Sequence, residues 1–193
     1  MKGKLNLPQK LGALLILFSC LILLGSEGIA AYHRHAAREI VGQIESRLPG
    51  PREGDPNNYS DAAMPVLQLG GSDFVGILEI PAFGVSLPIG NTWGRSEASR
   101  YPCRFQGSAY DSSLILGGID KKGQLDFCGK LDLGDRIIVT DMTGTEFSYE
   151  VIRIDRRKAA DSSTLTESES HLTLFARNTT SAGYIIVRCR IAP

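Results

Sequence analysis

From Val75 to the end of the chain, apolar residues come in short runs, each closed by glycine, proline or an Asp/Asn turn. Strand-length segments with turn chemistry between them specify β structure and exclude a helical bundle. The segments are Val75–Ile80, with Pro81 just past its end, Val85–Ile89, Leu114–Leu116, bounded by Gly117-Gly118, Arg136–Thr140, Thr145–Ile154, Leu172–Phe175 and Tyr184–Val187. The clearest pairing is Arg136–Thr140 with Thr145–Ile154, where Phe147, Tyr149 and Val151 alternate and Asp141-Met142-Thr143-Gly144 supplies the turn. A brief helical turn is expected around Ser96–Tyr101. Seven or eight such strands imply a sandwich or a closed barrel.

The first residues obey a different rule. Lys2, Lys4 and Lys10 precede an unbroken apolar run, Leu11–Leu24, and a second patch, Ile29–Tyr32, comes after Gly25-Ser26-Glu27-Gly28. The first run alone is short of the roughly 20 residues a membrane helix needs, and extension to the second includes Glu27. Basic residues before the run place the N-terminus inside and the body outside. A cleaved signal would use Ile29-Ala30-Ala31, a poor small-x-small site. A lipoprotein signal would use Leu17-Phe18-Ser19-Cys20, where Phe18 is bulky. An uncleaved anchor is the favoured expectation, and all three export the β-rich remainder of the chain. Residues 1–10 are then a cytoplasmic basic segment, 11–31 a single-pass transmembrane anchor, 32–73 a juxtamembrane helix and linker, and 74–193 the β-domain, outside the cell membrane. Ala36, Ile40, Ile44 and Leu48 give one apolar residue per helical turn, Pro49-Gly50-Pro51 stops that helix, and 49–73 has the composition of a mobile spacer.

Lys plus Arg and Asp plus Glu balance at 21 each, without the basic excess of a nucleic-acid binder. No His and carboxylate set has metal-ligand spacing, so neither a metal nor a cofactor is expected.

Several segments taken in order resemble the sortases, membrane-anchored cysteine transpeptidases of Gram-positive bacteria that join surface proteins or pilins to the cell wall or to each other. Gly76-Ile77-Leu78-Glu79-Ile80-Pro81 and Leu87-Pro88-Ile89 look like the family's first two strands. Gly107-Ser108 and Asp111–Gly117 look like the approach to its histidine strand. Phe127, Leu131 and Gly134-Asp135-Arg136-Ile137 match its middle, and Leu172-Thr173-Leu174-Phe175 with Ile185-Ile186-Val187 its last two strands. The resemblance covers about residues 73–191. It implies an all-β, eight-stranded barrel with short helical turns behind the N-terminal transmembrane helix.

The residues that would carry the family's chemistry are replaced. Gly118 stands where the resemblance puts the histidine, Arg177 where it puts the nucleophilic cysteine, and Tyr184 where it puts the arginine. Glycine transfers no proton, a guanidinium stays protonated and is no thiol-like nucleophile, and a phenol brings no positive charge. The resemblance therefore implies a pseudoenzyme that binds or scaffolds surface proteins or pilins, with a sorting-signal peptide, a pilin or an active sortase as partner. The alternative is an active sortase-type transpeptidase with a rearranged site built on Cys103 or Cys128. In an oxidising exterior those two could instead form a disulfide, or remain separate buried thiols. Cys189 should lie toward the opposite end of its strand pair from Arg177, as should His171, and His33 and His35 fall on the charged helix beside the membrane.

Overall fold

The computed structural model describes residues 7–54, 63–159, 162–166, 170–178 and 182–193. Lys2 and Lys4, Glu167 with Glu169, and the hydroxyl run 179–181 lie outside the described residues, as does part of the expected spacer.

Helix α1 spans Leu7–Glu45, so the juxtamembrane helix is continuous with the expected anchor. Its C-terminal half buries Ala37, Val41 and Ile44, spaced to share one face, and Ile40 and Leu48 are half-buried beside them. Val41 and Ile44, whose burial contributes roughly 1.5–3 kcal/mol apiece, pack with Phe74, Ile77, Ala98, Tyr101 and Cys103. At the other end Leu14, Leu15, Ile16, Leu17 and Phe18 are all exposed. Among the described residues no helix is long and apolar enough to cross a membrane.

The strands are β1 (Arg52–Glu53), β2 (Leu67–Leu69), β3 (Ser72–Ile80), β4 (Val85–Gly90), β5 (Cys103–Gln106), β6 (Leu114–Asp120), β7 (Arg136–Asp141), β8 (Thr145–Arg157), β9 (Leu172–Asn178) and β10 (Gly183–Ile191). Pairing runs β3-β4-β5-β6-β9-β10-β8-β7 and returns to β3, which closes an eight-stranded barrel. The β7–β8 hairpin forms as its alternation requires, with Phe147, Tyr149 and Val151 all buried. Its turn is pinned by buried Asp141, whose Oδ1 accepts the amides of Thr143 (2.7 Å) and Thr145 (2.9 Å), while Tyr110 donates to Oδ2 (2.5 Å). Gly144 takes φ +79°, which a side chain there would resist.

Three short strands have no counterpart in the sequence expectation. β5 carries little alternation and owes its conformation to its neighbours, pairing antiparallel with β6 and touching β4 in parallel at Gly90–Cys103. β1 and β2 fall in the segment expected to be a mobile spacer. Instead, β1 pairs in parallel with Thr145 and Glu146 of β8, β2 pairs with the start of β3, and Met64 is buried in the core. Its described parts are therefore bound to the barrel by backbone hydrogen bonds, by buried Met64 and by partly buried Leu67 and Leu69, which composition alone does not reveal. The expected helical turn appears as a single 3-10 turn at Glu97–Ser99, and a short helix α2, Ser162–Leu165, lies between β8 and β9.

Candidate functional site

Strands β6, β9 and β10 run side by side, and alternation divides their residues between two faces. The inner face carries Leu114, Leu116, Leu172, Leu174, Ala176, Val187 and Cys189, all in the barrel core. Gly118 pairs with Ala176 and belongs to this face. A Cβ on Gly118 would stand 2.7 Å from Leu125 Cδ1 and 3.3 Å from Gln124 Oε1. Gln124 is itself held, accepting from the Ile119 amide (2.6 Å) and donating to the Ala98 carbonyl (2.8 Å). Core side chains thus fill the place where the resemblance put an imidazole.

The outer face is built as cross-strand rows. Arg157 of β8 pairs with Tyr184 of β10, which pairs with Arg177 of β9, which pairs with Ile119 of β6. The next row is Asp155, Ile186, Phe175 and Gly117, and the third is Arg153, Arg188, Thr173 and Ile115. Arg177 and Tyr184 are therefore direct cross-strand partners, whereas Gly118 is one register position away and faces inward.

Aromatic rings cover the middle of the outer face. Trp93 lies 5.1 Å from Phe175 and 5.9 Å from Phe105, the Phe105 and Phe175 centroids are 5.4 Å apart, and Tyr184 closes the series 6.5 Å from Phe175. Ile115, Ile186 and Leu165 of α2 are buried with them. A side chain at Gly117 would overlap the Phe175 and Trp93 rings, so only glycine admits this packing. Beyond the rings Arg188 is 2% exposed, donates to the Thr164 carbonyl (2.5 Å) and lies 3.5 Å from Asp155 Oδ2, which also accepts from Arg153 Nε (2.9 Å). Arg188 ties α2 to the sheet. At the other end, Lys158, Arg177, Asn178, Ala182, Gly183 and Tyr184 line a pocket of about 400 Å³.

The sulfur atoms lie elsewhere. Cys103, Cys128 and Cys189 are free and buried. The bridge considered between Cys103 and Cys128 is not formed: Cys103 belongs to the cluster under α1 and Cys128 to the barrel core. Burial pushes the Cys103 thiol up to about 12, with Glu97 adding to the rise and Arg100 opposing it. Burial also raises Cys128, with Cys189 and two aspartates adding, and it raises Cys189. Each is therefore held as a thiol, the weaker nucleophile. Cys189 pairs with Leu172, away from the Arg177–Tyr184 end. His171 lies at that same distant end, where its Nδ1 accepts the Ile191 amide (3.0 Å). His33 is on α1, its pKa lowered by burial and by Lys121. Among the described residues no three His, Cys, Asp or Glu side chains group as metal ligands.

Sequence reasoning missed Arg157, Lys158, Arg188 and the ring cluster. The pattern Arg153-x-Asp155-x-Arg157 hints at a charged strand face, but only the register of β8 against β10 gives it neighbours.

No protein-family model matches the sequence, and no curated protein does. Solved structures do match. A Clostridium perfringens sortase D5 transpeptidase is 19% identical with TM-score 0.53, over 62% of this chain and 79% of that one. The sortase C1 of GBS Pilus Island 1 is 18% identical with TM-score 0.56, over 86% and 82%. A C. perfringens sortase C, solved with the C-terminal cell wall sorting motif, is 15% identical with TM-score 0.55, over 89% and 99%. At these identities the shared property is the fold: the chain has a sortase-like barrel.

Proposed function

We propose that this chain is a catalytically inactive sortase-like protein that binds or scaffolds surface proteins or pilins at the Gram-positive cell surface. The observation that carries this reading is the outer face of β6, β9 and β10. It ends in the Arg177–Tyr184 pair with no thiol in its rows, while Cys103, Cys128 and Cys189 are all buried. Attack on a scissile carbonyl needs a thiolate or an activated hydroxyl, and an arginine supplies neither. The active alternative, built on Cys103 or Cys128, would have to bring a buried thiol with a raised pKa to the surface, and that burial counts against it.

In this reading residues 11–31, the N-terminal part of α1, serve as the single-pass anchor, with the barrel outside the membrane, although no described helix is by itself long and apolar enough to cross. The exposed apolar side chains Leu14–Phe18 and the basic residues ahead of them support this role. The cell wall sorting motif present with the clostridial sortase C and the pilus island named for the GBS sortase C1 favour a sorting-signal peptide or a pilin as partner. An active sortase is the other partner consistent with a scaffold.

The test is turnover. The purified full-length chain, given fluorogenic sorting-signal peptides and an amine acceptor, is expected to release no fragment and form no transpeptidation product. Turnover abolished by Cys103→Ser or Cys128→Ser would establish the active alternative instead.

A further inference from the structure

Among the described residues, the charges on the outer face are balanced in one region and unbalanced in another. Asp155 is shared by Arg153 and Arg188. One row along the same strands, Arg157 and Arg177 flank Tyr184 with no such acid between them. No carboxylate among the described residues pairs with Arg157, Arg177 or Lys158. The nearest acid along β6, Asp120, accepts from Asn178 Nδ2 at 2.7 Å.

With strands about 4.8 Å apart, the two arginines of this row start roughly 10 Å from each other, one on each side of the tyrosine. Guanidinium groups on stems of that length can converge on one oxyanion above the ring, each through a two-pronged hydrogen-bonded fork. Lys158 and Arg177 also line the 400 Å³ pocket at this end, and the half-buried Tyr184 forms one of its walls. Arg177, Lys158 and Tyr184 at the pocket, with Arg157 beside it as the cross-strand partner of Tyr184, are the complement of a carboxylate or a phosphate, and they repel a cation.

We propose that Arg157, Arg177, Lys158 and Tyr184 form an anion-recognition site that takes the carboxylate or phosphate group of a ligand reaching this end of the sheet. Such a site holds its ligand without breaking a bond. It does not depend on the absence of turnover, so its failure would leave the inactive-sortase reading intact.

The test is a titration of the full-length chain in uncharged detergent, monitored by the arginine Nε–Hε NMR signals. Inorganic phosphate, a tripeptide with a free C-terminus and its C-terminal amide are the three probes. Saturable shifts confined to Arg157, Arg177 and the Tyr184 amide are expected with phosphate, the free-acid peptide or both, and whichever saturates identifies the group recognised. The peptide amide should not saturate. The double variant Arg157→Gln/Arg177→Gln should lose at least tenfold in affinity while its remaining spectrum is unchanged. The proposal is overturned if neither anion saturates, if Arg95, Arg100 and Arg136 shift as much as the pair, if the peptide amide binds as well as the acid, or if the double variant binds normally.

Discussion

Arg188 and Arg177 both lie on the outer face of the β9–β10 pair, and they show what each end of that face is built for. Arg188 is 2% exposed, bound to a backbone carbonyl and placed beside an aspartate shared with Arg153. A buried guanidinium is tolerable only with such partners. Arg177 is exposed, has an aromatic cross-strand neighbour, and has no acid partner among the described residues. The same side chain is a structural clamp in one place and, among the described residues, an unmatched charge in the other. The clamp holds α2 down over the ring cluster, and the free end lines a pocket.

The difference should be largest in stability. Arg188→Met removes the clamp and is expected to cost about 3 kcal/mol, seen as a lower urea midpoint, whereas Arg177→Met should change stability by less than about 0.5 kcal/mol. Equal losses at the two positions would erase the distinction. The next largest effect sharpens the contrast between faces. Gly118→His forces a ring against Leu125 and should destabilise by about 1–3 kcal/mol through overpacking, measured by the same denaturation. A neutral result would mean that position 118 opens outward. The smallest effect concerns unmatched charge of the opposite sign. Burial, then Glu146 and Glu45, raises the pKa of Glu79. Below its unfolded value Glu79 is protonated in both states. As pH rises through the unfolded and then the folded value, the native state keeps the proton longer and stability falls. Glu79→Gln should remove that decline, which begins above about pH 4, in a midpoint-versus-pH series, and an unchanged slope would assign the decline elsewhere.

Much of the fold is legible in the sequence because local pattern and tertiary demand agree. The Phe147, Tyr149 and Val151 alternation and the Asp141–Gly144 turn specify the β7–β8 hairpin whatever surrounds it. β5 and β1 are illegible because Cys103–Gln106 and Arg52–Glu53 are strands only through their partners. At the candidate site the residue identities at 118, 177 and 184 can be read, and the strand order brings 177 and 184 together. That Gly118 faces the core is a consequence of register, which a one-residue slip would reverse. Arg157 escapes a sequence reading for the same reason, since its partner Tyr184 lies beyond the whole of β9. Cys103 and Cys128, which flank Gly117-Gly118 in the sequence, sit in different clusters, Cys103 with the residues under α1 and Cys128 in the barrel core.

An inactive barrel requires that no reactive nucleophile be present, and alkylation of the native chain tests that most directly. A Cys20→Ser variant is treated with iodoacetamide at about pH 7, where an unperturbed thiol is still slightly ionised, and its intact mass is tracked with and without a sorting-signal peptide. Cys103, Cys128 and Cys189 are expected to stay unmodified until urea unfolds the barrel. One cysteine that alkylates rapidly in the folded chain, and is protected by the peptide, would contradict it.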